Sequence, residues 1–284
     1  MRLRKIKEFI GFGIVRLATI IILLALFAIL YFIVIRGIKV VNWQFLSQMP
    51  HSGMTAGGIL PAILGTFYLT MCAICFAFPL GVAAAIYLTE YAKQGKLIRI
   101  IRIGVSNLAG VPSVVFGLFG LAVFVKFFGF GISILSGGLT LGILILPTII
   151  RSSEEALLLV PHSFRWASLA LGASKWQTIF KVVLPNAVSG MLTGSILGIG
   201  RAAGETAPIL FTAAAFYTTK LPCSIFNEVQ ALPYHIYALM TEGVHPKAQV
   251  PIAYGTALVL IFLVLGINCI AIIMRNRFRR RQKW

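Results

Sequence analysis

Ala170-Leu-Gly-Ala-Ser-Lys-Trp-Gln-Thr-Ile-Phe-Lys-Val-Val-Leu-Pro185 combines helical periodicity with positive charge, and apolar runs long enough to cross a lipid bilayer lie on either side of it. The stretch belongs to a longer segment, about 152 to 187, in which Trp166, Leu169, Trp176, Ile179 and Phe180 are spaced among charged and small residues. A soluble helix with that pattern would turn its apolar stripe onto its own core. Between two membrane spans it makes a candidate docking surface for a partner in the aqueous phase.

The rest of the chain explains why lipid is the solvent on either side. Of 284 residues, 59% are hydrophobic and 11% charged, against about 25% charged in an ordinary soluble domain. Apolar runs at about 13–35, 61–88, 98–128, 138–151, 188–216 and 252–274 predict six spans. The fourth is short, and is expected to begin nearer Ile132 or to continue past Arg151. The first follows a charged start (Arg2, Arg4, Lys5, Lys7) but is too long for a signal-peptide core and lacks a small-residue cleavage site, so it reads as a retained helix. Arg16, near its beginning, is placed to snorkel toward the interface.

Charge orients the spans. The chain carries 25 Lys and Arg against seven acidic residues, for a formal charge of +18. The basic residues gather at both termini, between Lys93 and Arg102 and between Arg151 and Lys181. The positive-inside rule therefore predicts a multi-pass protein with both ends in the cytoplasm and outer segments at about 36–60, 129–137 and 217–251. The same rule accounts for the basic balance without nucleic acid. Cys72 and Cys75 form a C-x-x-C within an apolar run, but no second Cys or His pair stands at ligand spacing, so no metal site is expected. No G-x-x-x-x-G-K-[ST] phosphate-cradling loop occurs, so the chain is expected to hold no nucleotide and to catalyse no hydrolysis.

Within 170–185, Gly172 and Leu184-Pro185 stand at the spacing of the EAA loop of binding-protein-dependent ABC importer permeases. The segment resembles the coupling loop of that family: a helix, a turn at Gly172, then a second helix stopped by Leu184 and Pro185. Trp166 occupies the position of the usual glutamate, with Ala167 and Ser168 following. Arg165 and Lys175 offer alternative polar contacts to the ATPase. Two further stretches, Asn107-Leu-Ala-Gly-Val-Pro-Ser-Val-Val-Phe-Gly-Leu-Phe-Gly120 and Gly200-Arg-Ala-Ala-Gly-Glu-Thr-Ala-Pro208, resemble the phosphate-importer branch of the family. Gly57 to Thr66, Tyr87-Leu-Thr-Glu-Tyr91 and Arg151-Ser-Ser-Glu-Glu-Ala156 support it.

The resemblance implies an all-α integral membrane protein of six transmembrane helices with the type I ABC importer permease fold. It divides the chain into an N-terminal tail, first helix and outer loop (1–60) and a five-helix core (61–284) with a coupling loop at about 152–187. It also implies a phosphate transport function in a bacterial or archaeal inner membrane. The partners implied are two copies of an ATP-binding subunit, a second phosphate permease and an extracytoplasmic phosphate-binding protein. ATP would be used by the partner, with no cofactor on this chain. Another oxyanion importer is the neighbouring alternative, and an ion-coupled secondary carrier the alternative of a different class.

Four residue groups are singled out for function. Arg201 and Glu205 stand four apart in a membrane segment, where charges are costly unless they face protein or a water-filled path. A guanidinium fork suits an oxyanion in transit; alternatively the two form a salt bridge that fixes this helix to a partner span. Pro112 and Ser113, in an apolar span with three glycines, mark either a gate or bend in the path or a close helix contact. Gly190, Gly194 and Gly198 recur every four residues and bare one helix face for packing. Glu90 ends a span and reads as an interfacial acid satisfied by water.

Overall fold

The computed structural model describes residues 2–93, 95–218 and 220–281, with side chains from 11 to 277 within them. The basic side chains Arg2, Arg4, Lys5 and Lys7, and those from Arg279 to Lys283, lie outside the described side chains.

The described chain is mainly helical, with one small hairpin and an isolated parallel bridge between Ala214 and Val229. In order it contains α1 (Arg2–Gly37), α2 (Trp43–Ser47), β1 (Pro50–His51), β2 (Ala56–Gly57), α3 (Leu60–Ile86, continued by a π turn Tyr87–Tyr91), α4 (Lys96–Leu108) and α5 (Ser113–Gly120, continued by a π turn Leu121–Phe127). Then come α6 (Ile134–Leu158), α7 (His162–Ala170), α8 (Lys175–Thr178, continued by a π turn Ile179–Val183), α9 (Leu184–Gly204), α10 (Ala207–Thr212), α11 (Leu232–Thr241) and α12 (Pro246–Arg281). The two strands pair antiparallel, Pro50 opposite Gly57.

Five continuous helices are long and apolar enough to span a membrane, at 11–37, 60–91, 134–158, 175–204 and 246–277; α4 with α5 makes a sixth only if the bent pair counts as one span. Two spans differ markedly from those expected, the third and the fifth, while the fourth lengthens as expected. The third segment is not a straight helix over 98–128, because α4 and α5 meet at 102°. Pro112 has no N–H to continue a helix and disfavours helical geometry at Val111, so the chain breaks there and restarts at Ser113. The fourth span extends both ways, starting where the Ser133 hydroxyl accepts the Ser136 N–H at 3.2 Å and running to Leu158. The fifth stops at Gly204 rather than near 216. Glu205 is extended, at φ −76° and ψ 135°, and Pro208 lies in the first turn of α10.

Small residues bring the central helices together. A Cβ at Gly81 of α3 would lie 2.6 Å from Ile149 Cγ2 of α6, and one at Gly142 of α6 would lie 2.6 Å from Phe76 Cδ1. Gly138 faces the Cys72 thiol just as closely. Around these contacts Leu69, Ala73, Ala77, Leu141, Leu144, Ile145 and Ile149 form the main core, joined by Ala202 of α9 and Ile209 of α10. In lipid there is no hydrophobic gain from burying one apolar chain against another, so this close approach is what gives the helices a preferred arrangement. By contrast, the apolar part of α1 is exposed along its length. It meets the rest of the fold at α12, where Gly37 lies under the Tyr254 carbonyl and Arg36 Nη1 donates to Tyr254 Oη at 3.1 Å.

On α11, outside the spanning helices, His235 is 2% exposed and its Nδ1 has no hydrogen-bond partner among the described residues. Burial lowers its pKa to about 4, against about 6.5 for free histidine. Because the folded pKa lies below the unfolded one, protonation favours the unfolded chain. The contribution is full above pH 6.5 and is lost as pH falls from there toward 4, in all roughly 3 kcal/mol. The melting temperature of the detergent-solubilised chain is expected to drop over that interval, and His235→Leu should flatten this part of the profile.

Candidate functional site

The segment between α6 and α9 is a helical hairpin. Pro161 opens α7, and after Leu171 the chain reverses at Gly172, whose φ of +82° is a left-handed conformation that costs a side-chain-bearing residue about 1–2 kcal/mol. Gly172 N–H donates to Leu169 O at 3.0 Å, and Ala173 N–H to Ser168 O at 3.2 Å. Ser174 then caps α8 in a reciprocal capping box with Gln177. Ser168 Oγ and Thr178 Oγ1 lie 2.9 Å apart and fasten the two arms. Ala167 is exposed on α7, beside Trp166 at 69% and not far from Leu171 at 89% exposure. Gly172→Val is expected to loosen this turn by about 1–2 kcal/mol, read as faster amide hydrogen exchange across 166–180 with little change in α3 or α6.

The second arm differs from the expectation of a helix stopped at Leu184-Pro185. The helix runs unbroken from Lys175 to Gly204, with Leu184 and Pro185 opening α9. The π turn immediately before them explains this: Leu184 N–H bonds to Ile179 O, five residues back, and the widened turn gives the proline ring room that a tight α turn denies. Motion of the hairpin is thereby joined directly to a membrane span.

The two glycine-containing stretches, 107–120 and 200–208, pack against each other. At Gly117 of α5 a Cβ would lie 3.0 Å from both Ala207 O and Pro208 Cα, and Gly120 meets Thr140 and Thr212. Pro112 and Ser113 stand at the break that begins α5, one turn before Gly117. Arg201 is in the last turn of α9, and its Nε lies 3.3 Å from Glu205 Oε1 just beyond the helix end. Their side chains are 37% and 18% exposed. The pair is therefore local to the α9–α10 elbow. Among the described residues Nη1 and Nη2 of Arg201 have no hydrogen-bond acceptor. Gly190, Gly194 and Gly198 face α6, against Ala156, Ser152 and Ile145 respectively.

Two readings of single residues are corrected. Glu90 is not satisfied by water, and Arg165 is not free for a partner: Arg165 Nη2 donates to Glu90 Oε1 at 2.6 Å, and Nε donates to the same oxygen at 3.1 Å. Arg165 also donates to Val160 O at 2.7 Å and Leu157 O at 2.9 Å. These partners are 75 residues apart, and nothing in the local pattern links them. Lys175, in contrast, lies with Nζ 4.9 Å from the Tyr91 ring centre. A second ionic cluster was also illegible in sequence. Arg102 Nε lies 3.4 Å from Glu154, its Nη2 donates to Leu88 O at 3.2 Å, and Arg151 donates to Ser106. It ties α4 to the ends of α3 and α6.

A bundle of short-packed spans interrupted by an exposed helical hairpin is the architecture of ABC importer permeases. The fold is similar to a chain of a bacterial alginate ABC transporter (TM-score 0.68, 14% identity, 95% of each chain) and to a chain of the inward-facing MetNI methionine ABC transporter (TM-score 0.62, 18% identity, 78% of this chain and 95% of that one). Residues 77–284 match the family model described as the binding-protein-dependent transport system inner membrane component, and the chain belongs to that family. It is thus a multi-pass inner-membrane transport subunit. Among its relatives are the phosphate transport system permease protein PstA 1 of Mycobacterium tuberculosis, 34% identical over 99% of this chain and 91% of that one, and PstA of Mycobacterium leprae, 40% identical over 80% and 73%. The probable ABC transporter permease protein YqgI of Bacillus subtilis is 34% identical over 94% and 95%.

Proposed function

We propose that this chain is a phosphate-translocating permease subunit of an ATP-driven importer. The observation that carries the reading is Arg201, held at one edge by Glu205 with its Nη donors unspent, at the elbow where α9, α10 and α5 converge. A fork of charged donors can meet an oxyanion's paired oxygens, while the adjacent carboxylate limits how tightly the anion is held. The relatives named as phosphate permeases support phosphate as that anion.

In this reading Pro112 and Ser113 flank the path, and Ala167, Ser168, Gly172, Leu184 and Pro185 belong to the coupling element. That element, within about 152–187, docks on two copies of an ATP-binding subunit. Residues 1–60 form a peripheral unit and 61–284 the permease core, paired with a second, PstC-like permease. An extracytoplasmic binding protein delivers phosphate and exercises most of the selection. Both termini lie in the cytoplasm. ATP binding closes the ATPase pair, displaces the hairpin and swings the spans from inward-open to outward-open. Trp166 supplies apolar contact where the family pattern places a charge, and the exposed Leu171 adds to it.

Proteoliposomes containing the chain, the second permease, the ATPase and the binding protein are expected to take up radiolabelled phosphate only when all are present with internal ATP. Uptake of another oxyanion in preference to phosphate would reassign the substrate. Uptake by this chain alone without ATP would make it a secondary carrier.

A further inference from the structure

Among the described residues α7 contributes no fully buried side chain to the fold; its half-buried Phe164 packs against the cluster that contains Ala85 of α3 and Leu157 of α6. One half-buried aromatic makes a non-directional contact, so a directional attachment is needed if force on this helix is to reach the membrane spans without slipping. Arg165, in the middle of α7, supplies one. Its guanidinium lies within hydrogen-bond reach of both Glu90 oxygens, and it donates to the Leu157 carbonyl in the last turn of α6 and to the Val160 carbonyl just beyond it. The two side chains are only 12% and 9% exposed. Glu90 stands in the π turn that ends α3, so one side chain joins α7, α3 and α6. Ser168 and Thr178 form a second polar fastening of α7 among the described residues, and that one leads to the second arm of the hairpin.

We propose that Glu90 and Arg165 form a positioning pair that carries displacement of α7 into α3, making the pair necessary for coupling ATP hydrolysis to transport. The inference rests on reading α7 as the coupling helix. A planar, charge-assisted fork between largely buried groups resists both stretching and rotation. Separating it strands one charge away from water, so the link moves as a unit. The carbonyls at the α6 terminus add a favourable site for the same cation. Because α3 and α6 are in close contact through Gly81 and Gly142, a pull on the end of one is shared by the other.

The test uses the complete reconstituted importer with Glu90→Gln, Arg165→Gln and the double variant, reading ATP hydrolysed and phosphate taken up in the same vesicles. Each single variant is expected to keep the assembled complex and its ATP hydrolysis, while phosphate delivered per ATP falls about tenfold, the size of effect expected from one charge-assisted link. The double variant should be no worse than the singles, as for two residues acting through one interaction. A purely structural role would lower hydrolysis and uptake together and leave their ratio unchanged. Glu90→Gln keeps both carbonyl bonds of Arg165 and carries the test alone if Arg165→Gln fails to assemble. A wild-type ratio in Glu90→Gln, additive losses, or loss of ATPase association in Glu90→Gln would overturn the pair's role. ATP-independent uptake by the unaltered chain would instead overturn the coupling reading beneath it.

Discussion

Arg201→Gln is expected to reduce phosphate uptake by about ten- to a hundredfold in reconstituted vesicles while the assembled complex survives. The variant keeps a side chain of similar length but removes the charge and the planar fork. A charge-assisted hydrogen bond contributes about 1.5–3 kcal/mol, and each 1.4 kcal/mol is about a factor of ten. Folding should be little affected, because Arg201 is 37% exposed and its ion pair with Glu205 joins residues of the same elbow rather than two spans. Partly exposed pairs of this kind contribute little to stability. Radiolabelled phosphate uptake measured beside complex yield decides the matter. Unchanged uptake would leave Arg201 as a cap on the end of α9 and would remove the residue on which the proposed path is built.

Gly194→Leu is expected to prevent α9 from seating on α6, with loss of monodisperse protein after detergent extraction. A Cβ at Gly194 would lie 2.5 Å from Ser152 Cβ, and the serine hydroxyl is closer still. Turning the hydroxyl aside does not relieve the Cβ contact, so the helices must separate. Overpacking in a well-filled interior costs about 1–3 kcal/mol, and leucine adds three more carbons to the collision. Separation would also expose the neighbouring Gly190 and Gly198 contacts. Gly266→Leu on α12 serves as the control, since nothing lies within 4 Å of a Cβ built there. Size-exclusion chromatography and thermal unfolding of both variants check the prediction. Equal behaviour of the two would mean that the four-residue glycine repeat is not a packing face.

These two predictions differ in how far sequence alone supports them. The repeat of Gly190, Gly194 and Gly198 is legible because helical geometry places every fourth residue on nearly one face, whatever lies opposite. The identity of the opposing helix is not legible. It is α6, through Ala156, Ser152 and Ile145, and it depends on how all the spans arrange themselves. Arg201 and Glu205 show the opposite lesson. Their spacing suggested one continuous helix, yet they meet around a helix end, because Gly204 and Pro208 end α9 earlier than the apolar run suggests. Hydropathy measures solvent preference, and an apolar run scores alike whether it is straight, bent or terminated. Hydropathy is equally blind to the 102° break at Pro112; the proline within the run, not the run itself, is what marks a bend there.

Local rules therefore determined the parts of this protein that depend on local chemistry. Run length against bilayer thickness gave the spans to within a few residues at most boundaries, and the motif spacing around Gly172 gave the hairpin between two of them. Tertiary structure alone decided the rest. It joined Glu90 to Arg165 across 75 residues, continued the helix through Leu184 and Pro185 by a widened turn, and placed Gly117 on Ala207 and Pro208. The physical reason is that a backbone hydrogen bond in a helix is satisfied four residues away. A buried charge in a loop or at a helix end must find whatever partner the packing brings within about 3 Å.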